Sequence, residues 1–417
     1  MRSIKPSAVR GTVDAPPSKS MTVRAAAAAL LAEGTSRIRH ASLCDDGLAA
    51  FAIADAMGAV VSREGVEILV RSRGIHSRNG EKVRIDCGES GLAMRMFAPI
   101  AALLSGETVL EASGSLQSRP MEMVAALQRL GVSCATDHGR PPIKVRGPLQ
   151  GGPIAIDASV SSQFLTGLLT ALPLCRKDSH VRVSGLKSAP YVRMTLGLLS
   201  AFGVTIEHDD GLIEFWVRGN QAYRPSAYSV EGDWSGAAFL LVAGAIGGSV
   251  VVTGLPFPSI QADSAVLEAL EMAGARVIVG RDSISVERHI LSPFVFDATH
   301  CPDLFPPLVS LAACCEGRST IFGARRLVHK ESDRANALKE EFAKLGITIS
   351  IEEDRMEVSG GVIRGGEVDS HNDHRIAMAC AVAASQSQGE VIVGTPESVG
   401  KSYPRFFEDL EALMKGS

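Results

Sequence analysis

Apolar residues in this chain fall into two alternating kinds of run. One kind is helix-length and rich in small residues: Ser20 to Ala32, Ser90 to Leu104, Ser162 to Leu174, Ser235 to Ile246, Asp303 to Cys315 and Asp373 to Ala384. The other is short and β-branched, as in Thr108-Val109-Leu110 and Glu390-Val391-Ile392-Val393. The first kind predicts helices and the second strands. A second helix follows each such strand, as at Met123 to Leu130, and closes on a glycine suited to the left-handed residue after a helix end. These glycines are periodic: Gly58, Gly131, Gly203, Gly274, Gly346 and Gly416 lie 70 to 73 residues apart. An acidic residue ending a short strand repeats in phase, at Asp14, Asp86, Asp157, Glu231, Asp297 and Asp369. Two further strands, such as Val204-Thr205-Ile206 and Ile213 to Val217, complete a unit. One supersecondary unit is therefore used six times, and the fold class is α/β.

A chain of 417 residues exceeds what one hydrophobic core usually serves, so the six units divide into two domains of three. The last unit stops at Gly416 with no room for its closing strands, while Gly11-Thr12-Val13-Asp14 precedes the first. The N-terminal segment is therefore expected to complete the C-terminal domain. That places one domain at 16–224 and the other at 1–15 plus 225–417. The chain then crosses between them near Ala15-Pro16-Pro17 and near Gln221 to Ala227, which would make a hinge.

Charge removes some partners. A formal net charge of −4 offers no bulk attraction to nucleic acid, so an anionic ligand must be met by a local cationic pocket. The eight cysteines show no zinc-type spacing and the N-terminus no secretory pattern, which fits a reduced cytoplasm. Gly236 to Gly254 lacks charge, but Gly247-Gly248-Ser249 breaks it and Val250-Val251-Val252 follows; helix, turn and strand is the reading, with no membrane span.

The first helix of each unit opens on its own polar cluster: Ser18-Lys19-Ser20, Glu89-Ser90-Gly91, Ser161-Ser162-Gln163, Asp233-Trp234-Ser235, Pro302-Asp303 and Asn372-Asp373-His374-Arg375. Each Ser, Asp or Asn could simply cap its helix. Several such N-termini together would instead form an anion site. Cations at helix starts oppose the dipole, which makes Lys19, Arg24, Arg119, Lys330, Arg334, Arg375 and Lys401 candidates for holding phosphate or carboxylate. Asp303 and Glu331, set among them, are candidates for proton transfer. His374 could hydrogen-bond a carboxylate or cap its helix.

With these residues in view, the chain resembles the 5-enolpyruvylshikimate-3-phosphate synthase family of enolpyruvyl transferases over essentially its whole length. The likeness is carried by Pro17-Ser18-Lys19-Ser20 with Arg24, Ser90-Gly91 with Arg95, Arg119-Pro120, Ser161-Ser162-Gln163, Ser188 with Pro190-Tyr191, Lys330-Glu331-Ser332-Asp333-Arg334, Asn372-Asp373-His374-Arg375, and Lys401. The resemblance implies a two-domain inside-out α/β barrel, each domain three βαβαββ repeats, with the active site in the interdomain cleft. It implies that Lys19, Ser20, Arg24, Ser161, Ser162, Gln163, Ser188, Tyr191, Asp303 and Lys330 hold shikimate 3-phosphate. Lys19, Gly91, Arg119, Gln163, Arg334, Arg375 and Lys401 would surround phosphoenolpyruvate. The implied reaction adds the acceptor's 5-hydroxyl to C2 of phosphoenolpyruvate and then eliminates phosphate. Asp303 would be the base, Glu331 the donor to and acceptor from C3, and Lys19 a proton carrier or charge stabiliser. No metal, cofactor or covalent enzyme intermediate is implied, and a cytoplasmic monomer is expected.

Three positions depart from the family pattern. Glu89 stands where Asn is common and Leu92 where Thr is, and Arg326 replaces a common Asn. A carboxylate at Glu89 would repel the donor unless an arginine pairs with it or it points away. Two rival readings share the fold: the transferase that uses UDP-N-acetylglucosamine, which would show an early Lys-Asn pair where this chain has Lys19-Ser20, and a non-catalytic phosphometabolite-binding relative.

Overall fold

The computed structural model describes residues 1–75, 80–121 and 123–415; Gly416 lies outside the described residues. The chain forms two compact units, Pro17–Val230 and Met1–Pro16 together with Glu231–Ser417.

Within Pro17–Val230 three four-stranded sheets repeat one topology. In the first, Ala227–Ser229 runs parallel to Gly34–Arg39, which pairs antiparallel with Glu67–Ser72 and that with Val60–Glu64. The second uses Val83–Asp86, Glu107–Glu111, Arg140–Arg146 and Ser133–Asp137 in the same order. The third uses Pro153–Asp157, Ser179–Ser184, Glu214–Val217 and Glu207–His208. The strand that ends near Glu231 thus closes the first sheet of its own contiguous segment. The expected crossing near Gln221 to Ala227 lies instead after Val230, because Ala227–Ser229 is held by the ladder to Arg37–Arg39.

The second unit follows the same rule. Val9–Asp14 runs parallel to Gly248–Thr253, which leads to Ser283–Glu287 and Arg276–Val279. Val295–Asp297, Gly317–Phe322, Arg355–Gly360 and Thr348–Glu352 form the next sheet. The last has three strands, Gly366–Asp369, Val391–Gly394 and Arg2–Ile4.

Helices lie inside each unit. Lys19–Leu31 is buried continuously from Met21 onward, and Trp234–Gly247 on every side except Ser235. A helix apolar all round must be a core helix, and the alanine runs of Lys19–Leu31 let neighbours approach closely. The strands bury one face: along Gly34–Arg39, Ser36 and Ile38 point inward between exposed residues. Each fully buried Phe or Leu, such as Phe97 or Phe239, adds about 1.5–3 kcal/mol.

The periodic glycines have one cause. Gly58, Gly131, Gly203, Gly274 and Gly346 all take φ between 82° and 108°. After each, an apolar residue turns back to the helix: Val132 N–H donates to the Leu127 carbonyl, and Ile347 N–H to that of Phe342. This is the six-to-one bond of a Schellman cap, and a side chain at that φ would be strained.

One strand differs from expectation. Val204-Thr205-Ile206 is not a strand; Glu207–His208 pairs there with Trp216 and Phe215 instead. The Gln221 side chain both accepts from Thr205 N–H and donates to its carbonyl, so an amide takes the place of a ladder partner. The charge-free stretch after Gly236 is helix followed by the strand Gly248–Thr253, and among the described residues no helix is long and apolar enough to cross a membrane.

Candidate functional site

Cationic groups gather at helix starts in both units. In Pro17–Val230, Ser18 caps Lys19–Leu31 through Met21 N–H, which leaves Lys19 and Ser20 in the first turn. Lys19 Nζ lies 3.0 Å from Asp46 Oδ2, and both side chains are largely buried. One turn on, Arg24 is 2% exposed. Its Nε donates to Thr195 Oγ1 at 2.9 Å, Nη1 to the Ser20 carbonyl at 2.9 Å, and Nη2 to Thr166 Oγ1 and the Tyr191 carbonyl, both at 3.4 Å. Arg24 therefore ties three helices together, those starting at Lys19, Gln163 and Ala189. No carboxylate of the described residues is paired with it. Burial, only partly offset by the Tyr191 and Tyr228 phenols, lowers its pKa to about 10. A guanidinium that gives up water for neutral acceptors is poised for an anion from outside.

Ser188 precedes the Ala189–Ala201 helix in a left-handed conformation, φ 57°, with Tyr191 in the first turn. Ser161 Oγ accepts from Gln163 N–H at 3.2 Å, and Ser162 stands at the N-cap position of the Gln163–Ala171 helix without capping it. Gln163 Oε1 accepts from Arg95 Nη1 at 3.1 Å, while Arg95 Nη2 donates to the Pro120 carbonyl at 2.9 Å. At the start of the Gly91–Ala101 helix a Cβ on Gly91 would lie 2.7 Å from Arg119 Nη1 and 2.8 Å from Arg95 Nη1. Glycine is needed there because two guanidiniums flank the backbone. Ser20, Arg24 and Tyr191 are thus joined to one another, and Gly91, Arg95, Arg119 and Gln163 form an adjoining group.

Glu89 is turned to its own support. It accepts from Ser115 N–H at 3.2 Å and from Ser115 Oγ at 3.0 Å, in the turn Gly114–Ser118. Leu92 is a core residue, 7% exposed.

The second unit sets carboxylates among its cations. Arg334, the first residue of the Arg334–Lys344 helix, is fully buried. Its Nε donates to Asp373 Oδ2 at 2.9 Å, Nη1 to Asp303 Oδ1 at 2.9 Å, and Nη2 to Glu331 Oε2 at 2.6 Å and Asp373 Oδ1 at 3.2 Å. Burial works against its charge, but Asp373, Glu331 and Asp303 outweigh it and raise the pKa. Asp303, in the turn Pro302–Leu304, also accepts from Lys330 Nζ at 3.2 Å and Arg375 Nη2 at 3.3 Å. Burial alone would raise its pKa; Arg375, Lys330 and Arg334 together hold it well below the usual carboxylate range. Burial, aided by Arg334 and Arg326, lowers the Lys330 pKa, with Asp303 opposing.

Asp373 caps His374–Ala384 by accepting from Arg375 N–H at 3.0 Å. It is Asp373, not His374, that caps this helix, and His374 Nδ1 lies 3.6 Å from Asp373 Oδ1, beyond hydrogen-bond length. Arg326 Nη1 donates to the Thr299 carbonyl at 2.9 Å. Lys401, 7% exposed, ends the turn Pro396–Lys401 packed against the His374–Ala384 helix. Asp303, Lys330, Glu331, Arg334 and Arg375 are one hydrogen-bonded cluster; the turn that ends at Lys401 packs against the helix that carries Arg375.

Asp46, Thr166, Thr195 and the bridging role of Asp373 had no signal in the sequence. Asp45-Asp46 reads as ordinary first-turn acids of the Asp45–Ala56 helix, and threonines in apolar helices read as fillers. Arg95 stood in a motif without a role.

Comparison with known proteins gives a consistent picture. The family model EPSP synthase (3-phosphoshikimate 1-carboxyvinyltransferase) matches residues 4–410. A protein of Clostridium perfringens named 3-phosphoshikimate 1-carboxyvinyltransferase is 37% identical over 414 residues, covering 98% of this chain and 97% of that one. One of the same name from Thermococcus kodakarensis is 40% identical over 408 residues, 98% of each. The solved EPSP synthase of Acinetobacter baumannii superposes with a TM-score of 0.81 at 26% identity, covering 99% of this chain and 98% of that one.

Proposed function

The chain belongs to the EPSP synthase family, and from that premise we propose that it transfers the enolpyruvyl group of phosphoenolpyruvate to the 5-hydroxyl of shikimate 3-phosphate, releasing inorganic phosphate. The observation that carries the reading at the level of residues is the cluster in which buried Arg334 joins Asp303, Glu331 and Asp373 while Lys330 and Arg375 share Asp303. Such a cluster supplies both a proton acceptor and a proton donor beside cations for an anionic ligand.

In this reading Lys19, Ser20, Arg24, Ser161, Ser162, Gln163, Ser188, Tyr191, Asp303 and Lys330 hold the acceptor, with hydroxyls and a lysine reaching its phosphate. Lys19, Gly91, Arg119, Gln163, Arg334, Arg375 and Lys401 meet the donor. Asp303 receives the proton of the 5-hydroxyl as its oxygen bonds to C2, and Glu331 gives a proton to C3. The tetrahedral adduct then loses phosphate from C2 while C3 returns its proton to Glu331 and the vinyl group re-forms. Asp303 is too strongly stabilised as an anion by its three cations to be an efficient base in the free protein. Ligand phosphate and carboxylate that draw off Lys330 and Arg375 raise its basicity when substrates are present. Lys19, held by Asp46, moves or stabilises charge. Glu89, engaged with Ser115, is compatible with donor binding. The protein is proposed to work as a cytoplasmic monomer.

The test is phosphate release from purified protein with each substrate omitted in turn. Release that needs both substrates is expected; release with phosphoenolpyruvate alone, or none with both, contradicts the proposal.

A further inference from the structure

Three cations assigned to the donor in the second unit, Arg334, Arg375 and Lys401, depend on one short segment, 369–373. Asp373 receives Arg334 Nε at 2.9 Å and Nη2 at 3.2 Å, and it caps the helix that carries Arg375 by accepting that residue's N–H at 3.0 Å. Ser370, fully buried, donates from Oγ at 3.2 Å to the carbonyl of Thr395, the residue before the turn Pro396–Lys401. Between them His371 and Asn372 both take left-handed conformations, φ 51° and 53°. Two such residues in succession without a glycine cost free energy and persist only where their surroundings hold them.

Local bonds shape this turn, His371 N–H donating to Asp369 Oδ1 and Asn372 N–H to Ser370 Oγ, and Glu341 fastens it to the neighbouring helix. Glu341 is 1% exposed and lies two turns along the Arg334–Lys344 helix from Arg334, hence on the same face. Its Oε2 accepts from Asp369 N–H at 2.8 Å, and its Oε1 lies 2.7 Å from His371 Nε2. Lys344 Nζ donates to both oxygens, at 2.8 and 2.7 Å, so the carboxylate acts as an acceptor throughout and His371 Nε2 carries the proton between them. Glu340 stands 3.9 Å from the same nitrogen, too far for a hydrogen bond. One helix thus holds the segment at both ends, through Glu341 at Asp369 and His371 and through Arg334 at Asp373. We propose that Glu341 and His371 are positioning residues: their hydrogen bond keeps 369–373 in its left-handed turn and so sets Asp373, and through it Arg334 and Arg375, at the spacing the donor requires. The inference rests on the reading that Arg334 and Arg375 meet phosphoenolpyruvate.

The experiment compares His371→Asn with His371→Gln. Asparagine accepts the left-handed backbone but is too short to reach Glu341, whereas the Nε2 of glutamine reaches as far as that of histidine. His371→Asn should raise KM for phosphoenolpyruvate about tenfold with kcat changed by less than about threefold, the scale of one lost charge-assisted hydrogen bond acting on donor binding. Its calorimetric affinity for shikimate 3-phosphate and its melting temperature should stay near wild type, and His371→Gln should recover most of the KM. Equal KM in the two variants, or kcat, acceptor affinity and melting temperature falling together in His371→Asn, would overturn the assignment. Glu341→Ala removes the same bond from the other side, so adding His371→Asn to it should raise KM no further; effects that multiply contradict the proposal. Should Glu341→Ala not fold, the two His371 variants decide alone. A second readout needs no turnover. Deuterium exchange of the 369–373 backbone amides should quicken about tenfold in His371→Asn and much less in His371→Gln, and unchanged exchange in His371→Asn contradicts the proposal. If wild-type protein releases no phosphate with both substrates, the activity reading fails, whereas the exchange still decides whether Glu341 and His371 hold the segment.

Discussion

Two arginines, both removed from water, have opposite surroundings. Arg24 gives its hydrogen bonds to two threonine hydroxyls and two backbone carbonyls, and burial lowers its pKa. Arg334 gives its own to three carboxylates, and its pKa is raised. The unit Pro17–Val230 thus keeps a cation short of anions, and the other unit surrounds its cation with them. A cation lacking an internal counter-charge gains most when a ligand supplies one. A cation crowded by carboxylates instead fixes where protons reside. The same side chain serves ligand capture in one place and acid–base chemistry in the other, and its neighbours make the difference.

The contrast breaks most visibly at Arg334. Arg334→Met strips Asp373, Asp303 and Glu331 of a shared partner and should cost about 3–5 kcal/mol of stability, read by chemical denaturation. Glu331→Gln keeps an acceptor for Arg334 but no exchangeable acid proton. Turnover should fall by about a hundredfold or more with shikimate 3-phosphate affinity nearly kept, and a normal kcat would remove Glu331 from the chemistry. Arg24→Met leaves no carboxylate orphaned. Its loss of stability should stay below about 2 kcal/mol, well under that of Arg334→Met, while calorimetry shows acceptor affinity reduced by at least about tenfold. The smallest effect belongs to Gly91→Ala, whose methyl must displace Arg119 and Arg95 from 2.7 and 2.8 Å. KM for phosphoenolpyruvate should rise about tenfold with kcat changed less, because the shift weakens binding by about 1.4 kcal/mol.

Local chemistry was legible in the sequence, and partners across the chain were not. A glycine that ends a helix with positive φ needs only its own neighbours, so the period at Gly131, Gly203 and Gly346 could be read directly. The inner helices were legible for the same reason, since an unbroken apolar run has nowhere to go but a core. The sheet that receives the strand near Glu231 was missed, because strand pairing across about two hundred residues leaves no local mark. Gln221 standing in for a strand at Thr205 was hidden likewise. In the site, cations at helix starts stood out because they oppose the dipole. Asp46, an acid in a first turn, looked like an ordinary helix former because its partner Lys19 lies on another helix.

The division between a capturing cation and a proton-bearing cluster is tested most directly by titrating shikimate 3-phosphate into Arg24→Met and Glu331→Gln and measuring phosphate release on the same preparations. The account predicts weakened acceptor binding in Arg24→Met, and near wild-type binding with turnover lost in Glu331→Gln. Unchanged affinity in Arg24→Met, or a Glu331→Gln protein that loses binding as severely as turnover, would contradict it.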